Sequence, residues 1–95
     1  MKTEQSIEKY LCRLVKEAGG MCVKLVPNPA GLPDRLVIMP DGRNVYVEMK
    51  AEGGYVTPIQ TATHVRLRRM NQKVYVLWSY DDVDWFMEKI YHGTV

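Results

Sequence analysis

GLPDRLVIMPDGRNVYVEMKAEGG, residues 31 to 54, places two apolar, β-branched runs, 35–39 and 44–49, around Pro40-Asp41-Gly42-Arg43. An Asp-Gly pair behind a proline supplies turn geometry at little steric cost, so the two runs predict an antiparallel hairpin. Side chains alternate along a strand. Val45, Val47 and Met49 therefore form one row, facing the core, while Tyr46, Glu48 and Lys50 share the other. Asp34 opens the first run directly behind Pro33. Near-symmetric pairing about the turn returns it opposite the far end of the partner strand, around Glu48 to Lys50. Two carboxylates and an amine then converge at one end of the hairpin, where a purely structural sheet would carry apolar side chains.

The flanking segments supply the remaining elements. Between Thr3 and Ala18, Ile7, Leu11, Leu14, Val15 and Ala18 recur on one helical face, with Thr3 as N-cap and Gly19-Gly20 as the stop. MCVKLV, residues 21 to 26, reads as a short strand, and the prolines of PNPAGLP end it. After the polar loop from Ala51 to Thr57, Pro58 suits the first turn of a helix running to about Met70. Lys73 to Trp78 is a further strand; parallel pairing with the second hairpin strand would make that helix a crossover. Ser79 or Asp81 can cap a last helix carrying Val83, Phe86, Met87 and Ile90. The expected order is α-β-β-β-α-β-α: an α/β fold with a mixed four-stranded sheet flanked by helices.

At 95 residues, with about a quarter of them charged, the chain is expected to be one domain spanning 1–95 and not disordered. A net charge of +2 is too small to argue for nucleic acid by itself. Local groups exist within that total: Lys9, Arg13 and Lys16 along the first helix, and Arg66, Arg68 and Arg69 on the second. Each also reads as an ordinary solvated helix face. Cys12 and Cys22 lack metal-ligand spacing and cannot define a disulfide framework, which suggests a reducing compartment. No apolar run reaches transmembrane length, and MKTEQSIEKY does not resemble a signal peptide, so a cytoplasmic protein without membrane contact is expected.

The chemistry follows from the residue types. Mg²⁺ is commonly held by one or two carboxylates together with water and substrate phosphates, and Asp34 with Glu48 offers that set. The main-chain carbonyl of Met49 is a further candidate ligand, and Lys50 could stabilise negative charge developing on a phosphate. Gln60, one turn into the second helix, could orient water or phosphate. Glu8 on the first helix could reach the same cation, with Glu4 one turn earlier as the alternative. Taken alone, Glu48-Met49-Lys50 is a common tripeptide that reads as an ordinary ion pair on a wet sheet face.

Taken together, Gly31-Leu32-Pro33-Asp34, Val47-Glu48-Met49-Lys50, Pro58-Ile59-Gln60, Glu8 ahead of Gly19-Gly20, and Lys24 on the first strand resemble the VRR-NUC domain of the PD-(D/E)xK nuclease superfamily, in particular its stand-alone phage-type members. The resemblance covers nearly the whole chain. It implies a restriction-endonuclease-like core and metal-dependent hydrolysis of DNA phosphodiesters, with Mg²⁺, or Mn²⁺ as substitute, held by Asp34 and Glu48. Lys50 would complete the site, with Glu8 and Gln60 in support. It also implies action in a host cytoplasm and, as stand-alone relatives suggest, a homodimer that processes four-way (Holliday) junctions. Recognition is expected to depend on phosphate position and DNA shape, through Lys24, Lys9, Arg13, Arg66, Arg68 and Arg69. A less selective nickase or flap nuclease, and a non-catalytic DNA-binding module that keeps the fold, are the competing readings.

Overall fold

The computed structural model describes residues 3–26 and 30–93; the expected proline break at 27–29 lies outside them. Seven elements follow one another: α1 (Glu4–Glu17), β1 (Met21–Lys24), β2 (Arg35–Ile38), β3 (Asn44–Met49), α2 (Pro58–Arg69), β4 (Val74–Leu77) and α3 (Tyr80–Tyr91). The strands lie side by side in chain order, β1-β2-β3-β4. The first two pairings are antiparallel and β3–β4 is parallel, with α2 as the crossover.

The hairpin register decides where the site lies. Ile38 pairs with Asn44 and Arg35 with Val47, so Asp34 falls level with Glu48. The turn closes tightly: the Met39 N–H donates to the Arg43 carbonyl and the Gly42 N–H to that of Met39, with Gly42 at φ +92°. Met39 thus belongs to the turn rather than to β2. β1 and β4 are likewise shorter than 21–26 and 73–78, although the Leu25 N–H still donates to the Asp34 carbonyl at 3.0 Å.

One sheet face carries the core. Val37, Val45, Val47, Met49 and Leu77 are buried there beneath Ile7, Leu11 and Val15 of α1 and Val83, Phe86, Met87 and Ile90 of α3. Each such side chain contributes about 1.5–3 kcal/mol of transfer free energy, so this layer carries the fold. α1 is fixed at its start by a reciprocal Thr3–Ser6 capping box. At its end the chain passes so close to β2 that a Cβ on Gly20 would lie 2.7 Å from the Ile38 carbonyl oxygen. Ser79, not Asp81, caps α3, because its hydroxyl accepts from the Asp82 N–H while the Asp82 carboxylate accepts from that of Trp78.

The opposite face is covered by α2, which buries only His64 and Leu67. A single sparse helix leaves polar strand side chains on that face partly enclosed but not displaced by hydrocarbon. Among the described residues, no helix is long and apolar enough to cross a membrane.

Candidate functional site

The loop before β2 rests directly on α2. Gly31 has φ +88°, and a Cβ there would lie 2.5 Å from the Thr63 hydroxyl and 2.7 Å from the Ile59 carbonyl. Only glycine fits this approach, and Pro33 is buried behind it. Asp34 is thereby delivered to the end of β3, where its Oδ2 accepts the Met49 N–H at 2.9 Å.

Glu48 is 2% exposed, on the α2 face of β3. Its Oε2 takes both nearby donors: Gln60 Nε2 at 3.1 Å and Lys50 Nζ at 3.5 Å. Its Oε1 is buried with no partner among the described residues. Gln60 is held from behind, since its Oε1 accepts the Thr57 N–H while the Thr57 hydroxyl accepts that of Gln60. The capping box that starts α2 therefore also aims an amide at Glu48. Lys50 is 8% exposed, and its N–H extends the sheet to the Leu77 carbonyl.

Burial pushes the Glu48 carboxyl up to about 7, aided by the charge of Asp34, while Lys50 pulls it down. Neighbouring carboxylates repel when both are ionised, which is why the charge of Asp34 favours the protonated form of Glu48. A hard divalent cation held by Asp34 and Glu48 would meet the same demand by neutralising both charges. Among the described residues no group of three or more His, Cys, Asp and Glu side chains gathers as a metal cluster. The donor set fits Mg²⁺ of the kind completed by backbone, water and substrate oxygens.

Glu8 does not join this pair. Its Oε2 accepts from Arg35 Nε at 2.6 Å, and Arg35 Nη1 donates to the Cys22 carbonyl at 3.0 Å. The reason is topological: α1 lies on the core face, towards which Arg35 points, whereas Glu48 and Gln60 meet on the α2 face. Glu4, the alternative, is exposed in the first turn of α1.

The basic residues are similarly divided. Lys24 is exposed at the end of β1, opposite Arg35. Lys9 and Arg13 are exposed on α1, with the Arg13 guanidinium 5.4 Å from the Tyr10 ring centre. Arg66, Arg68 and Arg69 lie on α2, across the sheet, and Arg68 donates to the Val74 carbonyl at 2.9 Å. These two groups do not form one continuous patch.

His64 is a residue that the sequence reading passed over. It lies one turn beyond Gln60, on the same side of α2, is 3% exposed, and leaves Nε2 buried without a partner among the described residues. Burial, then the charges of Arg68 and Lys50, hold its pKa below the usual histidine value. The four-residue step from Gln60 to His64 was the available signal, and a histidine in a weakly amphipathic helix hid it.

No family model matches the chain. The p44 protein of Acyrthosiphon pisum secondary endosymbiont phage 1, which bears the name of a candidate nuclease, is 46% identical over 79 residues, covering 82% of this chain and 85% of that protein. A solved structure described as a VRR-NUC domain superposes with a TM-score of 0.82 at 33% identity, covering 92% of this chain and 97% of the other. The chain belongs to the VRR-NUC nuclease family. Its mixed sheet and element order are those of the PD-(D/E)xK fold.

Proposed function

We propose that the chain is a metal-dependent DNA endonuclease whose core is Asp34, Glu48 and Lys50, with Mg²⁺ as cofactor and Mn²⁺ as its substitute. The observation that carries this reading is the Glu48 carboxylate: buried, raised to about 7 beside Asp34, and with Oε1 unpartnered among the described residues. A carboxylate confined in this way costs stability, and a cation site is the economical reason to keep it.

Asp34 and Glu48, with the Met49 main-chain carbonyl, would hold the cation, which when bound polarises the phosphodiester and makes the attacking water more acidic. Lys50 places its ammonium beside Glu48, where it meets negative charge building up on the phosphate. Gln60 fixes the rotamer of Glu48, and its own cap fixes Gln60. Glu8 contributes to the cation only by exchanging its Arg35 partner; in its present pairing it braces Arg35, the neighbour of Asp34 in the chain.

The finer reading is cleavage of four-way DNA junctions by a homodimer. One small site cuts one strand, so paired incisions call for two sites. Trp85 and Tyr91 on α3, 46% and 69% exposed, offer apolar surface for a second copy. Lys24, Lys9 and Arg13 on one side and Arg66, Arg68 and Arg69 on the other are the proposed phosphate contacts. Their placement on opposite sides of the sheet suits a branched substrate better than a single duplex lying on one face.

The test is a panel of linear duplex, single-stranded, flap and four-way DNA, each with Mg²⁺, with Mn²⁺ and with chelator, with molecular mass in solution measured alongside. Symmetric nicking of the junction by a dimer, lost with chelator, is expected. Cleavage of flap or linear DNA in preference to the junction replaces the substrate assignment; intact DNA in every lane with Mg²⁺ or Mn²⁺ rejects the nuclease mechanism.

A further inference from the structure

On the core side of the sheet, away from the carboxylate pair, the Cys12 thiol donates to the Cys22 sulfur across 2.8 Å, and both cysteines are free. Cys12 lies on α1 and Cys22 on β1, joined by the turn at Gly19-Gly20. Neither sulfur is sealed in the core: both residues are half-buried and border an open cleft of about 390 Å³ with Lys16, Gly20, Met21 and Arg35. Burial and the bond from Cys12 push the Cys22 thiol up, against the pull of Arg35.

We propose that Cys12 and Cys22 are a reversible dithiol–disulfide pair, a redox-sensitive lock of α1 onto β1. The distance to be closed is small, from 2.8 Å to a bond of about 2.05 Å. The fold already brings the two sulfurs together, so the second exchange is intramolecular and outruns capture by another thiol. The oxidant is a soluble low-molecular-weight disulfide. One cysteine thiolate attacks it, forming a mixed disulfide and releasing one small thiol. The second cysteine then attacks the protein sulfur of that mixed disulfide and expels the other small thiol. The two hydrogens lost by Cys12 and Cys22 end on the two released thiols, and the bond reduced is that of the soluble disulfide.

The lock has a structural target. Arg35 Nη1 donates to the Cys22 carbonyl while Arg35 Nε donates to Glu8, one turn before Cys12 on α1. The covalent bond would therefore add to a seam already held by a charged pair and fix α1 at two points. This proposal does not rest on the nuclease reading.

The experiment treats the folded, reduced chain with excess oxidised glutathione, followed by intact mass, a non-reducing peptide digest and thermal melting. Expected are loss of two hydrogens, a Cys12–Cys22 linked peptide, and a melting temperature raised by about 10 °C, all reversed by dithiothreitol. Cys12→Ser and Cys22→Ser chains, treated in the same way, should show neither the linked peptide nor the rise. A chain that keeps two thiols, carries stable glutathione adducts, or forms only disulfide-linked dimers overturns the proposal. So does a link that forms only in guanidinium, or an oxidised form that melts no higher than the reduced one.

Discussion

Gln60 donates its side-chain amide to the buried Glu48 carboxylate at 3.1 Å while its carbonyl oxygen accepts the Thr57 N–H that opens α2. One side chain thus ties the start of a helix to the acid on the neighbouring strand. Gln60→Ala breaks both links; Thr57→Ala loses only the cap. Each should cost about 1–2 kcal/mol in chemical denaturation. Only Gln60→Ala should raise the protonation midpoint of Glu48 further, because a donor to the ionised form is gone. A carboxyl NMR titration of the two variants checks this; equal midpoints would mean that the amide does not act on Glu48.

Lys50 is buried beside Glu48, and its role is tested by separating chemistry from folding. Lys50→Ala should lower cleavage at least about 100-fold through lost charge stabilisation, with DNA affinity and melting temperature little changed. Rates from single-turnover assays, set beside binding and melting curves, decide the matter. Unimpaired cleavage removes Lys50 from the mechanism.

The Glu48 carboxyl, raised from an ordinary value of 4.5 to about 7, gives two pH dependences of opposite sign. Without metal, the folded chain keeps a proton that the unfolded chain releases near 4.5. The associated stability is complete below that pH and is lost as pH rises through about 7, up to about 3 kcal/mol in all. With metal, the proton must leave before the cation binds. The Mg²⁺ concentration that half-stabilises the chain should therefore rise about tenfold for each unit the pH falls below 7, and stay level above it. Thermal-shift titrations from pH 5.5 to 8.5 measure both, and Glu48→Gln should abolish both. A Mg²⁺ response independent of pH over that range would place the cation elsewhere.

Much of this site was legible in the sequence because its parts sit at fixed offsets from a turn. Asp-Gly fixed the hairpin, the hairpin put Asp34 level with Glu48, and alternation put Glu48 and Lys50 on one face. The family followed from the same residues. What the sequence could not carry was which helix covers which face. Glu8 looked available to the acids, yet α1 packs on the core side and gives Glu8 to Arg35, a residue read only as part of a strand. The basic residues of α1 and α2 looked like one inventory until the sheet came between them. His64 offered only its four-residue step from Gln60, a weak signal, because a buried histidine is identified chiefly by its surroundings.

His64 carries a pKa held down by burial and by Arg68 and Lys50, so its linkage has the opposite sign to that of metal-free Glu48. The unfolded chain takes up a proton on this side chain near 6.5 and the folded chain resists it. The stability is present above 6.5 and is lost as pH falls below it. Measured in a Glu48→Gln background, where the carboxyl no longer contributes, melting temperature should fall between pH 7 and 5. Adding His64→Gln should flatten that fall. An unchanged slope would mean that the imidazole accepts a proton as readily in the folded state.

Gly31 is the hinge on which delivery of Asp34 depends, and it differs from Gly42 in a way that can be measured. Both have positive φ, +88° and +92°, but a Cβ at Gly42 meets nothing within 4 Å whereas one at Gly31 runs into Thr63 and the Ile59 carbonyl. Gly42→Ala should cost only the left-handed strain, about 1–2 kcal/mol. Gly31→Ala adds a backbone clash, for a total of at least about 3 kcal/mol. It should also weaken Mg²⁺ stabilisation, because the loop must lift off α2 and draw Asp34 away from the Met49 N–H. Denaturant melts with and without Mg²⁺ compare the two variants. Equal losses, with equal metal responses, would mean that the loop does not lean on α2 and that Asp34 is placed by the hairpin alone.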